Sequence, residues 1–124
     1  MSNKNIFILI ISLLILGTLT TIILRSGGPT VPSTKYDTFA QCLASKNLTM
    51  YGAVWCSHCQ AQKALFGDSF KYVPYVECTE NPNECIAKTI ESYPTWIDGK
   101  GTKYVGEQSL KKLSEISGCQ LPLD

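Results

Sequence analysis

Arginine disappears from this 124-residue sequence after Arg25, and from Ser26 onward nine lysines face ten aspartates and glutamates. That segment carries about one net negative charge and no basic patch, which excludes the electrostatic footprint of a nucleic-acid binder. Internal repeats and low-complexity tracts are absent. Histidine occurs once, as His58, and no second closely spaced Cys or His pair accompanies Cys56 and Cys59. A structural zinc site draws on such a pair, so the spacing argues against zinc. Also missing is a small-x-small cleavage site after the N-terminal apolar run.

That run, Ile6 to Leu24, "IFILIISLLILGTLTTIIL", contains 19 residues without a charge. As a helix it reaches roughly 28 Å, about the thickness of a bilayer core. It exceeds the usual apolar core of a cleaved signal peptide, so an uncleaved anchor over residues 1–25 is the expectation, with a cleaved signal as the alternative. Lys4 lies on one side and Arg25 on the other, a slight charge bias for orientation. The cysteines are more informative. All six follow the apolar run, and an even number in a small domain suits an oxidising compartment, which puts the domain on the extracytoplasmic side. The Gly, Pro, Ser and Thr of "RSGGPTVPSTK" read as a linker over 26–35, leaving 36–124 as one globular domain.

Within that domain Tyr36, Phe39, Ala40 and Leu43 have helical spacing, ending near Asn47. "LTMYGAV" reads as a strand, which places Cys56 where a strand ends and a helix begins. That helix runs through Gln60, Lys63 and Leu65 to Gly67, which suits a left-handed cap. "KYVPYVE" is a second strand, demoted to an edge by Pro74. Asn81, Pro82 and Glu84 announce a further helix with Ile86 and Ile90 on one face. "PTWI", "DGKG" and "TKYVG" form a hairpin. A last helix starts at the Ser109 cap, turns Leu110, Leu113 and Ile116 inward, and ends at Gly118. A strand-helix-strand crossover implies a parallel pair and the hairpin adds antiparallel strands, so the class is α/β with a small mixed sheet.

A thiol reacts as its thiolate, and a cysteine at a helix start gains from unsatisfied backbone N–H groups and the helix dipole. Cys56 is placed to attack. Cys59, one turn further in, is placed to resolve a mixed disulfide formed at Cys56. His58 lies between them. A partly cationic ring beside the sulfur favours the thiolate and hence the reduced form, making the disulfide a better oxidant. Cys56, Cys59 and His58 also suit a soft ion such as Cu(I), the metal-carrier alternative.

Cys42, Cys78, Cys85 and Cys119 read as staples. Cys78 and Cys85 bracket the short loop "CTENPNEC", which leaves Cys42 for Cys119, although four cysteines permit three pairings. On a chain-entropy argument the short and long loops would stabilise by roughly 2.5 and 4.5 kcal/mol. Free buried thiols are the alternative.

With these residues in place, "WCSHC" after a strand and "YPT" before a hairpin resemble the thioredoxin fold over most of Tyr36 to Gly118. More narrowly, "MYGAVWCSHCQAQKALFG", "YVPYVEC" and "SYPTW" are similar to the thioredoxin-like domain associated with bacterial homologues of vitamin K epoxide reductase. The resemblance implies a reduced thioredoxin-like fold of about four strands, lacking the usual first strand. It also implies a cis Pro94 that packs against the active-site disulfide and shapes a substrate groove with Trp55, Tyr93 and Thr95. Two departures stand out. Thioredoxins proper bury a carboxylate where this chain has Met50, leaving Glu77 or water to handle the proton of Cys59. The reductase-like membrane domain is also absent, so a redox partner must come from another chain.

The reading is therefore a membrane-anchored thiol-disulfide oxidoreductase without a cofactor beyond its Cys56–Cys59 disulfide. It oxidises protein thiols and is reoxidised by a membrane partner resembling vitamin K epoxide reductase. The alternatives are a disulfide reductase or isomerase using the same site, and a metal-binding or redox-inert, disulfide-stapled binding module.

Overall fold

The computed structural model describes residues 3–25 and 34–123, the side chains of the first segment only as far as Gly17. The chain divides into two units, Met1–Val31 and Pro32–Asp124. The first contains helix α1, Asn3–Arg25, whose apolar side chains from Ile6 to Leu16 are exposed. Among the described residues no helix is long and apolar enough to cross a membrane. The expected span to Leu24 takes in side chains outside the described residues, and the expected linker over 26–35 lies outside them as far as residue 33.

The second unit runs α2 (Asp37–Ser45), β1 (Thr49–Gly52), α3 (Ser57–Ala64), a 3-10 turn (Gly67–Tyr72), β2 (Tyr75–Glu77), α4 (Pro82–Ala87), β3 (Thr95–Ile97), β4 (Lys103–Val105) and α5 (Leu110–Ser117). The sheet order is β2-β1-β3-β4, with β1 parallel to β2 and the other pairs antiparallel. Pro74 directly precedes β2 at the sheet edge, where a residue without an N–H costs no ladder bond. Its carbonyl still accepts from Met50 N–H at 2.9 Å.

One side of the sheet carries the main core: Phe39 and Leu43 of α2, Met50 of β1, Phe66, Trp96 of β3 and Leu113 of α5. Each such side chain contributes about 1.5–3 kcal/mol by leaving water. Buried polar Gln62 joins this core, its Oε1 accepting from Trp96 Nε1 at 3.2 Å and Gln108 N–H at 2.6 Å. Its Nε2 donates to the Gln108 carbonyl at 2.9 Å. Helix α3 is thereby tied to the strand beneath it and to the segment leading into α5. On the other core cluster Tyr51, Cys78, Cys85 and Ile97 pack with Ile90 and Tyr93 against them.

The disulfides are Cys42–Cys119, joining α2 to the segment after α5, and Cys78–Cys85, closing the turn from β2 into α4. The structure departs from the sequence reading in four places. The expected strand "KYVPYVE" is a strand only over Tyr75–Glu77, because Lys71 and Tyr72 belong to the 3-10 turn, closed by Val73 N–H to the Phe70 carbonyl at 2.9 Å. Helix α3 stops at Ala64, and Gly67 uses its positive φ of 55° to open the 3-10 turn rather than to cap a longer helix. Asn81 begins α4 without a side-chain cap, because its Nδ2 donates to the Glu77 carbonyl instead. Ile86 is 72% exposed and Ile90 lies beyond the helix end. Cys85, pinned to Cys78, fixes the inward face of this short helix and turns its neighbour Ile86 to solvent.

Candidate active site

Central strand β1 delivers the chain to the loop Ala53–Trp55, which is held from both sides. Val54 N–H donates to Glu77 Oε1 at 3.0 Å, while Gln60 Nε2 donates to the Val54 carbonyl at 2.8 Å. A turn closed by Cys56 N–H to the Ala53 carbonyl, 3.0 Å, then aims the chain into α3. Cys56 is the N-cap of that helix, and its Sγ accepts from Cys59 N–H at 3.1 Å. The hydrogen bond brings a backbone donor to the sulfur on which negative charge develops during attack.

Cys56 and Cys59 are both buried free thiols, with Cys59 only 1% exposed. Burial, followed by its hydrogen bond with Cys56, pushes the Cys59 thiol up to about 12, against the opposing pull of the Ala53 backbone and Lys63. Trp55 stands 71% exposed beside them, its ring meeting Tyr93 edge-on at 5.7 Å. The Tyr93–Pro94 bond is cis and Pro94 is buried. Thr95 is also buried, with its hydroxyl donating to the Ser92 carbonyl at 2.7 Å. Of the expected groove residues, the structure thus presents Trp55 at the surface with Tyr93 half-buried against it, and withdraws the side chains of Pro94 and Thr95. His58 is exposed and its Nδ1 lies 2.6 Å from Glu107 Oε1.

No protein-family model matches the chain. A solved structure of chloroplastic thioredoxin z superposes with a TM-score of 0.50 over 64% of this chain and 84% of that one, at 20% identity. The fold is thioredoxin-like.

By sequence, this thioredoxin-like domain is 40% identical over 91 residues to thiol-disulfide oxidoreductase LTO1 of Arabidopsis thaliana, covering 66% of this chain and 24% of the relative. It is 33% identical over 90 residues to the thioredoxin domain-containing protein 5 homolog of Drosophila melanogaster, covering 62% of this chain and 22% of the relative. The chain therefore spans about a quarter of the length of the curated relatives it matches.

Among the described residues of the thioredoxin-like domain, no three His, Cys, Asp or Glu side chains are grouped to hold a metal ion. Two thiols three residues apart, one presented at a helix start and the other beneath it, can form and break one disulfide by exchange. Sequence reasoning missed three neighbours of this pair. Gln62 shares the inward face of α3 with Cys59, a placement visible in helical spacing. Tyr75 and Lys63 gather on Cys59 from different elements, and no local pattern signals that.

Proposed function

We propose that this chain is a thiol-disulfide oxidoreductase working through Cys56 and Cys59. The observation that carries the reading is the contrast within one small domain: four cysteines are closed into disulfides, while two free thiols remain at a helix start beside the exposed Trp55. The 40% identical Arabidopsis relative bears the name of this activity, which supports the reading.

A substrate thiolate attacks Cys56 Sγ, the Cys56–Cys59 bond breaks, and Cys59 leaves with the electron pair as a thiolate. A second substrate thiolate then attacks the substrate sulfur of the mixed disulfide and releases Cys56. The substrate loses two electrons and the enzyme is left as the dithiol. Trp55 and Tyr93 supply the aromatic rim of the groove that receives the substrate chain, with the backbone at Pro94 and Thr95 beside it. His58 tunes the potential, in exchange with its bond to Glu107. In the extended form of the proposal, α1 anchors the domain on the extracytoplasmic side of a membrane. Protein thiols are the substrates, and a membrane protein resembling vitamin K epoxide reductase restores the disulfide. The anchor draws on the uncharged run from Ile6 to Leu24, the partner on the "WCSHC", "YVPYVEC" and "SYPTW" resemblance.

The test is a Cys59→Ala variant in its native membrane, which is expected to accumulate mixed disulfides through Cys56. If none accumulates, the catalytic reading is abandoned. Direction is read from the Cys56/Cys59 potential, where a value near about −120 mV marks an oxidant and one near −270 mV a reductant. Replacing His58 by Ala is expected to move that potential toward the reducing end.

A further inference from the structure

Met50 is fully buried on β1, so that strand brings no carboxylate to Cys59. Its register partner on the parallel edge strand is Tyr75. A Cβ placed on Gly52 would lie 3.0 Å from Cys59 Sγ, 3.0 Å from the Tyr75 ring edge and 3.1 Å from its hydroxyl. Glycine at this position leaves the room in which the buried thiol and the half-buried phenol approach one another. The Tyr75 hydroxyl donates to Glu77 Oε2 at 2.6 Å. The other carboxylate oxygen of Glu77 accepts from Val54 N–H, Thr79 N–H and Thr79 Oγ1, fixing it to the loop ahead of Cys56. From α3, one turn after Cys59, Lys63 places Nζ 3.8 Å from the centroid of the Tyr75 ring.

We propose that the Tyr75 hydroxyl, held by Glu77, carries the proton of Cys59 when the mixed disulfide at Cys56 is resolved. The proposal rests on the oxidoreductase reading above. In resolution, the Cys59 proton passes to the Tyr75 oxygen as the Tyr75 proton passes to Glu77 Oε2. The Cys59 thiolate attacks Cys56 Sγ and the Cys56–Cys59 bond forms. The bond from Cys56 to the substrate sulfur breaks, and the substrate leaves as a thiolate with the electron pair. In the opposite direction the attack on Cys56 expels Cys59 as a thiolate, which is reprotonated by Tyr75 and, behind it, Glu77. The groups facing Tyr75 are Lys63 from α3, Glu77 from its own strand, and the thiols of Cys56 and Cys59, with the Phe70 ring against it from the 3-10 turn. Burial, and then the bond to Glu77, raise the Tyr75 pKa, which keeps the hydroxyl protonated and able to relay. Burial pushes Glu77 upward too, but the donors from Tyr75, Thr79 and Val54 outweigh it and hold the carboxyl below its ordinary range. Glu77 therefore stays an ionised acceptor for the Tyr75 hydroxyl.

The full chain is loaded at Cys56 with thionitrobenzoate, and release of the dye by Cys59 is followed by its absorbance across pH. Tyr75→Phe keeps the ring for Phe70 and Lys63 but removes the relay. It is expected to slow release near neutral pH on the order of 100-fold while loading of Cys56 stays unchanged, with the deficit shrinking as rising pH ionises Cys59 unaided. Glu77→Gln is expected to slow release in the same way. Release from Tyr75→Phe at the wild-type rate at every pH, or an equal slowing of loading and release, overturns the proposal. So does wild-type release from Glu77→Gln. A wild-type chain that loads but never releases the dye overturns the oxidoreductase reading itself, whereas normal wild-type release with unaffected variants removes only the relay.

Discussion

Helices α3 and α5 begin alike. In each, the N-cap side chain accepts a hydrogen bond from the backbone N–H three residues on, Cys56 Sγ from Cys59 and Ser109 Oγ from Lys112, both at 3.1 Å. Sulfur or oxygen, the cap satisfies one of the donors that a helix start leaves without a partner. The two sites differ in their surroundings. Ser109 sits on the surface, whereas Cys56 is buried with a second thiol beneath it and a carboxylate-anchored loop in front. Cap geometry by itself is ordinary, and the chemistry comes from the capping atom and what is packed around it.

The comparison breaks most sharply at Cys56→Ser. Serine is a good cap, so the fold should survive with a melting temperature close to that of the parent. Thiol-disulfide exchange should nevertheless fall below detection, because the new hydroxyl neither ionises nor forms a disulfide at neutral pH. An assay of dithiol oxidation beside a thermal melt checks both halves.

The next largest effect is expected at Gln62, the buried joint between α3 and the entry to α5. Gln62→Leu leaves the Trp96 indole N–H and the Gln108 N–H without their acceptor, at about 1–3 kcal/mol for each buried donor. Urea unfolding should show this loss, while a cost below about 1 kcal/mol would mean that the joint repacks around water.

Stability of the dithiol form should also depend on alkaline pH. The folded-state pKa of Cys59 is raised, from 9.0 to about 12, so folding favours the protonated thiol. That contribution is intact below pH 9 and is lost as pH rises toward 12. The reduced protein should therefore lose thermal stability in that window more steeply than Cys59→Ala, for which the thiol no longer titrates.

The site residues readable in the sequence are those whose placement follows from local rules. Cys56 lies at a strand-to-helix junction, Pro74 could stand only at an edge, and Ser109 and Gly118 bracket a helix with Leu113 inward. The unread ones depend on contacts between distant segments. Tyr75 of β2 meets Lys63 of α3, whose Nζ lies 3.8 Å from its ring centroid. Gln62 is satisfied by Trp96 and Gln108, 34 and 46 residues later. Ile86 misled because helical spacing ranks faces by hydrophobicity, while the Cys78–Cys85 bridge had already fixed which face of α4 turns inward.

Ser109→Ala sharpens the comparison from the other side. Removing the α5 cap should cost about 1 kcal/mol, measured by denaturant unfolding, and leave the rate of exchange at Cys56 unchanged. A smaller effect is expected at the His58–Glu107 pair, which is exposed on both sides. Glu107→Gln should alter stability by less than about 1 kcal/mol, and by less still at high salt. The pair bridges α3 to the segment before α5, as Gln62 does, but it does so in water, where screening and side-chain entropy offset most of the attraction. If Glu107→Gln instead destabilises the domain as much as Gln62→Leu, the connection between these helices is made at the surface, and the buried amide is not its principal tie.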